Sequence, residues 1–111
     1  KCEICKQKPF NQSLECHEVF QYNDDTHVQT LVKLVALCKQ CHMVKHIGNT
    51  TRLGKLPSAI SHLCKVNNWT RKYTENYIIG CYTLWNIRSM ITWKLDLSYL
   101  DKFEIPTINM I

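Results

Sequence analysis

Two pairs of cysteines, each with two residues between its members, constrain the fold of this chain more than any other sequence feature. The pairs are Cys2 with Cys5 and Cys38 with Cys41. Four thiolates in this arrangement are the ligands of a closed tetrahedral zinc site, which leaves no coordination position for water. The chain has seven cysteines, an odd number, which favours zinc over a framework of disulfides. We therefore expect a structural zinc that joins the start of the chain to the segment around position 40.

The residues between the two cysteine pairs have the pattern of a β-hairpin. Positions 6–37, which are 32 residues, are too many for the loop of a single zinc finger. Two runs rich in β-forming residues, "SLECHEVFQY" and "VQTLVKLVALC", flank the turn-forming cluster "NDD". The segment "KQCHMVKH" then predicts a short helix that ends at Gly48 as its C-terminal cap.

The C-terminal half of the chain predicts a pair of helices. Pro57 suits the first turn of a helix over "PSAISHLCKV", and Asn67 and Asn68 end it. Thr70 can cap a longer helix that reaches about Trp93. These proportions also leave a helix-turn-helix open, but two helices that complete the core are the better interpretation.

One face of the longer helix is predicted to pack inward. Four of its positions follow one another at steps of three and four residues, which places them on one face. They are Tyr77, Cys81, Leu84 (or Trp85) and Arg88. Together these patterns predict an α+β fold in one domain of residues 1–111, with a zinc-pinned core over residues 2–47. Residues 48–111 form a mainly helical extension that packs on this core.

Basic residues dominate the middle of the chain, which has a net charge of +5. Positions 26–74 contain eight lysines and arginines and no aspartate or glutamate. This pattern indicates a face for phosphate groups, although a solvated surface balanced by acids from elsewhere has the same composition. The predicted nucleic-acid contacts are Lys33, Lys39, Lys45, Arg52, Lys55, Arg71 and Lys72.

Three histidines suggest a second metal site. His42 follows Cys41, and adjacent helical side chains diverge by about 100°, so His42 points away from the cysteine site. His46 lies one turn later on the same face, and two histidines four residues apart are a recurring metal clamp. His17, in the first predicted strand, is the candidate third ligand. Without a metal, the same pair would be ordinary surface histidines.

With these elements the sequence resembles the HNH endonucleases, also called ββα-metal nucleases. The segments "CEIC", "LECHE" and "LVALCKQCHMVKH" match the family's cysteine knuckle, first strand and strand-to-helix junction, over residues 2–47. The resemblance implies a ββα-metal core and a metal-dependent endonuclease that hydrolyses phosphodiester bonds in DNA with little sequence specificity. It also implies that His17, His42 and His46 bind a second divalent cation, Mg²⁺, Mn²⁺, Ni²⁺ or Zn²⁺, beside the structural Zn²⁺.

Two positions depart from the family's pattern. Glu18 occupies the place of the usual general base, a histidine, and Lys33 lies near the place of the family's middle asparagine. In the preferred alignment His17 is a metal ligand and Glu18 is the catalytic base, since a carboxylate can deprotonate water. In the other alignment His17 is the catalytic base, and Glu15 or Cys16 takes the ligand position.

The departures keep a second function open, that of an HNH-shaped zinc protein that binds nucleic acid or a protein partner without cutting it. A purely structural zinc domain is a third interpretation. The expected partner is DNA, in duplex form. The chain has no apolar run near the roughly 20 residues that cross a bilayer, so we expect no membrane partner. Reduced cysteines predict a cytoplasmic location.

Overall fold

The computed structural model describes residues 1–9 and 13–103. In this part of the chain three β-strands and four α-helices form, followed by one 3₁₀-helix. The strands are β1 (Glu15–Asn23), β2 (Val28–Leu37) and β3 (Lys94–Asp96). The helices are α1 (Lys39–Lys45), α2 (Ile47–Arg52), α3 (Leu56–Asn67) and α4 (Arg71–Ser89), and the 3₁₀-helix spans Ser98–Phe103. The fold is therefore α+β, as predicted.

The three strands form one sheet in the order β1-β2-β3. The predicted turn between β1 and β2 is confirmed: the side-chain oxygen of Asn23 accepts hydrogen bonds from the backbone amides of Asp25 and Thr26, each at 3.0 Å. His27 completes the turn with a positive φ of 59°. The short strand β3 runs parallel to β2, with Val28 opposite Lys94.

The chain divides into two compact units, and β1 and β2 each contribute residues to both. The first unit comprises Lys1–His17 and Val35–Met90, and it contains all four α-helices. Its helix α3 packs against α1, α2 and α4. Its buried side chains are Cys2, Val35, Leu37, Cys38, Cys41, Thr50, Ala59, Ile60, Thr74 and Ile78.

The second unit contains residues 18–34 and, within the described part, residues 91–103. Leu31 and Leu100 are its buried apolar side chains. The ring of Trp93 packs edge-on against Tyr22 and His27, with centroids 5.2 and 5.7 Å away. That the whole chain is one domain of residues 1–111 stays a prediction.

The prediction that Gly48 caps the first helix is wrong. The helix α1 ends earlier, at His46, and α2 begins at once, with Gly48 inside it. The hydrogen-bond pattern is interrupted for a single residue only, because the amide of Thr50 donates to the carbonyl of His46 at 3.0 Å. The glycine with a positive φ, 75°, is instead Gly54, in the turn after α2.

The helix pair is confirmed, but α4 is shorter than predicted. Pro57 lies in the first turn of α3, and Asn68 ends that helix in the left-handed conformation. Thr70 caps α4 by accepting a hydrogen bond from the amide of Tyr73 at 3.1 Å. The helix ends at Ser89 because Met90 already closes the last turn, and Trp93 packs in the second unit.

The predicted inward stripe of α4 is also wrong. Leu84 and Trp85 are 44% and 65% exposed, whereas Thr74 and Ile78 are buried. Apolar residues lie all around this helix, so their spacing alone does not select a face. The contact with α3 selects it: the hydroxyl of Thr74 lies 3.2 Å from Sγ of Cys64 on that helix.

Candidate metal centres

The four cysteines of the two pairs come together in the first unit. Their sulfur atoms all lie within 4.8 Å of one another. Cys2 and Cys5 lie in the turn at the start of the chain. Cys38 is the N-cap residue of α1, and Cys41 lies in the first turn of that helix. Sγ of Cys38 accepts a hydrogen bond from the amide of Cys41 at 3.4 Å, so one sulfur both begins the helix and belongs to the cluster.

The start of the chain is held beside the end of β2, as predicted. The amide of Glu3 donates to the carbonyl of Ala36 at 3.0 Å, and the Glu3 carboxylate accepts from the amide of Ala36. Lys6 adopts a positive φ of 65°, which lets its amide donate to the carbonyl of Cys2 at 2.9 Å. This tight turn places the two N-terminal cysteines next to each other.

The surroundings of the cysteine cluster shift the pKa values of its thiols in opposite directions. Burial tends to raise the pKa of Cys2, but hydrogen bonds from the backbone amides of Cys38, Cys5 and Ile4 lower it to about 6. Burial raises the pKa of Cys5. Burial and the three neighbouring thiols also raise the pKa of Cys41 strongly. Several thiolates can be held this close only if a positive charge compensates them.

The cluster has the donors and dimensions of a zinc site. Two sulfurs bound to one tetrahedral zinc lie roughly 3.8 Å apart, given zinc–sulfur bonds of about 2.3 Å. Sγ of Cys5 lies 3.8 Å from Sγ of Cys38. Cys2, Cys5, Cys38 and Cys41 could therefore hold a structural metal such as zinc.

His62 is a neighbour of this cluster that no motif in the sequence predicts. Its Nε2 lies 3.1 Å from Sγ of Cys41. Burial and the nearby Lys65 lower the pKa of His62, so the neutral ring is favoured. The contact depends on the packing of α3 against α1, which spacing along the chain does not indicate.

The three predicted histidines also come together in the first unit. The nitrogens that His17, His42 and His46 offer lie within 4.8 Å of one another. Nε2 of His42 and Nε2 of His46 are 3.1 Å apart. The ring of His17 lies edge-on to both, with centroid distances of 5.1 and 5.0 Å. Strand β1 supplies His17, α1 supplies His42, and His46 is the C-cap residue of α1.

Glu15 orients one of these rings. Its Oε1 lies 2.9 Å from Nδ1 of His42, and because a carboxylate only accepts, Nδ1–H is the donor in this contact. In the neutral ring this arrangement leaves Nε2 as the nitrogen that can bind a metal. Glu15 and His17 are two residues apart in β1 and therefore leave the strand on the same face. Carboxylates that fix a histidine in this way are common around metal ligands. The alternative alignment with the family had predicted Glu15 or Cys16 as a metal ligand, whereas the Glu15 carboxylate contacts the ring of a candidate ligand, His42.

Glu18 and Lys33, which depart from the family's pattern, are both exposed. Glu18 follows His17 in β1, and side chains alternate across a strand, so the two leave it on opposite faces. Lys33 is an exposed residue of β2. Within the described residues, the group of close ligand atoms comprises the three histidines and includes neither of these side chains. The role of Glu18 as a base stays a prediction.

The seven predicted phosphate contacts are all exposed. Arg71 donates from Nε to the carboxylate of Glu75 at 2.8 Å. Within residues 1–9 and 13–103, Arg71 is the one member of this set with a carboxylate partner at ion-pair distance. Lys45 and Arg52 line a groove that also includes His46.

Comparisons of this chain with protein-family models, with curated proteins and with solved structures found no match. No helix in the described part of the chain has the length and apolar character that spanning a membrane requires. The two candidate centres are therefore defined by the positions of this chain's own ligands, four thiols in one cluster and three imidazoles in the other.

Proposed function

We propose that this chain is a metal-dependent endonuclease of the HNH type, which hydrolyses phosphodiester bonds in DNA with little sequence specificity. The observation that carries the proposal is the pairing of His42 with His46. Their Nε2 atoms are 3.1 Å apart, while Glu15 holds the far side of the His42 ring. Two nitrogens bound to one ion at about 2.1 Å lie roughly 3.0 to 3.4 Å apart, so this spacing suits a shared cation.

The donor set favours some cations over others. Three imidazoles suit Zn²⁺ or Ni²⁺ better than Mg²⁺, which prefers carboxylate and carbonyl oxygens. A divalent ion held there would supply Lewis acidity for charge that develops on the scissile phosphate. Glu15 keeps the proton of His42 on Nδ1 and so keeps Nε2 available.

Of the two possible alignments with the family, the structure's contacts favour the first. In that alignment His17 is a ligand, which its position against the rings of His42 and His46 supports. In the other alignment Glu15 or Cys16 replaces it. Glu15 is already engaged by Nδ1 of His42, and Cys16 is exposed on the opposite strand face. Glu18 is then the candidate base, and its exposed carboxylate would take a proton from water.

The cysteine cluster supports this function without performing chemistry. Cys41 and His42 are successive residues of α1, so a zinc held by the four thiols would fix the position and rotation of the helix that carries two histidines. The exposed Lys39 and Lys45 lie on the same helix and would neutralise phosphates on either side of the cut. Such contacts position DNA without reading its bases.

A protein that binds nucleic acid without cutting it is the second candidate. Glu18 is the proposed base, but it is exposed on the strand face opposite His17. A base that points away from the histidines favours binding without cutting. In this case the histidines would hold an ion that helps to bind a phosphate. The two functions share every ligand and differ only in whether the bond breaks.

Plasmid nicking distinguishes these functions. The second ion is first removed with a mild chelator, while one zinc per chain is retained, and Mg²⁺, Mn²⁺, Ni²⁺ or Zn²⁺ is then added separately. We expect nicking with at least one ion, loss of nicking with excess chelator, and no nicking by His42→Ala. The matched control is His27→Asn, which removes an imidazole outside both clusters and keeps a residue type that tolerates the positive φ of this turn. Tight DNA binding with no nicking by any ion would favour the second candidate.

A further inference from the structure

A groove of about 700 Å³ in the first unit begins at His46, the last ligand of the histidine cluster. We propose that this groove binds an unpaired segment of a DNA strand next to the phosphate that the histidine cluster would hold. The inference rests on the proposed function and names its substrate more closely. The residues that carry it are Lys45, His46, Asn49, Arg52, Tyr82 and Trp85.

The aromatic wall of the groove consists of Tyr82 and Trp85. They are three residues apart on α4, so both side chains lie on one face of the helix. The hydroxyl of Tyr82 lies 2.7 Å from that of Thr51, which fixes the tyrosine ring. Trp85 is 65% exposed, although it belongs to the residue types that bury the largest apolar area. A flat apolar ring held open to solvent is a platform on which a nucleic-acid base can stack.

The opposite wall of the groove is positively charged. Lys45 and Arg52 contribute their cations, and the described residues that line the groove include no aspartate or glutamate. Nη2 of Arg52 donates to the side-chain oxygen of Asn49 at 2.6 Å, which orients the guanidinium. A chain of phosphates is complementary to this wall, and bases are complementary to the other. An acidic peptide would match only the charged wall.

The stacking wall requires bases that are not paired. In a duplex each base is covered by its neighbours, and only phosphates and groove edges are open to a side chain. In a single strand the ring faces are free, and positively charged grooves with aromatic rings bind such strands with little sequence preference. The volume of about 700 Å³ lies within the range of about 300 to 1,000 Å³ typical of pockets for small organic groups.

Fluorescence anisotropy with a labelled oligonucleotide tests this inference. The protein keeps its structural zinc, and chelator excludes the second ion, so that binding is measured without cleavage. A single-stranded probe and its duplex are compared. Trp85→Ala should weaken binding of the single strand by about tenfold or more, the loss expected for one stacked base. Duplex binding should change less than about twofold.

Two further variants separate stacking from other effects. Trp85→Phe keeps a ring and should retain most of the affinity. Ile79→Ala removes another exposed apolar side chain of α4, 62% exposed and outside the groove, and should change nothing. Equal binding of the single strand by wild type and Trp85→Ala would overturn the inference, as would an equal loss with Ile79→Ala.

Two other results distinguish the alternatives. If Trp85→Ala dissolves a dimer seen in sedimentation and leaves single-strand binding intact, a second copy of this chain occupies the groove and the inference is wrong. If no ion supports nicking but the Trp85 effect is found, the proposed endonuclease function fails while the single-strand site stands. If the protein nicks DNA but Trp85→Ala leaves its affinity for the single strand unchanged, the endonuclease function stands and the single-strand site fails.

Discussion

Cys41 and His42 are neighbours in the sequence, yet their side chains belong to two different ligand clusters. Sγ of Cys41 is grouped with the other thiols, and His42 is grouped with His17 and His46. The rotation of about 100° between successive helical residues separates them. One short helix, α1, thus serves a candidate structural site and a candidate reaction site, and substitutions can test each site separately.

Replacing Cys38 with serine should unfold the first unit or remove its cooperative melting. The substitution takes one sulfur from the candidate zinc and also changes the side chain that caps α1. Binding of a structural zinc contributes folding free energy on the order of 10 kcal/mol. Thermal melting and zinc content per chain are the measurements. Cys16→Ser is the matched control, since Cys16 is exposed and lies outside the cluster. An unchanged melting curve with full zinc content in Cys38→Ser would contradict the assignment.

Replacing Glu15 with glutamine should lower the affinity for the second ion without unfolding the chain. The change removes the carboxylate charge that accepts the Nδ1 proton of His42. Loss of such an orienting carboxylate lowers metal affinity by roughly 10- to 100-fold. Calorimetric titration with Zn²⁺ or Ni²⁺ measures the effect. Glu18→Gln should keep the affinity and slow nicking instead, by roughly 10²- to 10⁴-fold if Glu18 is the base. The assignment of Glu15 fails if both variants bind the ion as wild type does.

Replacing His62 with alanine should make the structural metal easier to remove. Nε2 of His62 lies 3.1 Å from Sγ of Cys41 and can donate a hydrogen bond to a thiolate. Without that bond the cluster's affinity should fall by roughly 10- to 100-fold, as for other groups that support metal ligands. The rate of zinc transfer to a coloured chelator measures this loss. The control His27→Asn, which tolerates the positive φ at this turn, should release zinc at the wild-type rate. Equal rates for all three proteins would mean that the contact has no such role.

The salt dependence of duplex binding should depend on Lys45 and Arg52. Each phosphate contact contributes about 0.9 to the slope of log affinity against log salt concentration. The double replacement by alanine should therefore reduce the slope by about 1.8. Arg71→Ala is the control. Because the Arg71 guanidinium already pairs with the Glu75 carboxylate at 2.8 Å, removing it should change the salt slope less. If the double variant keeps the wild-type slope, these two residues do not contact phosphates.

Features that depend on residues close in sequence were predictable, and features that depend on packing were not. Helix and turn geometry bring together the members of each C-x-x-C pair and the two histidines four residues apart, so each pair was indicated directly. That the two cysteine pairs meet was expected from the four ligands that a structural zinc requires. Thr70 and Pro57 marked the starts of α4 and α3 for the same reason. These are local rules, and the rest of the fold does not override them.

Most of the features that were predicted wrongly or missed are contacts between elements. Leu84 (or Trp85) was predicted to face inward from its spacing along α4, and the exposure of both residues follows from how that helix meets α3. The contact of His62 with Cys41 spans 21 positions and needs α3 to lie on α1. Gly48 did not end a helix because the amide of Thr50 resumes the pattern one residue later. The first two depend on a tertiary arrangement that spacing along one sequence does not specify, whereas the third reflects a local hydrogen bond that a glycine at position 48 does not prevent.

The most direct test of the central claim measures the content of the second metal and the nicking rate of the variant His42→Ala. This substitution removes one imidazole and leaves the four thiols, so the variant should keep one zinc per chain and melt as wild type does. It should lose the second ion and show no nicking, while binding of duplex DNA through the exposed lysines survives. If His42→Ala unfolds and loses its only zinc, His42 belongs to the structural site and the ligands are divided wrongly. If it folds, binds DNA and nicks at the wild-type rate, the histidine cluster is not a reaction site.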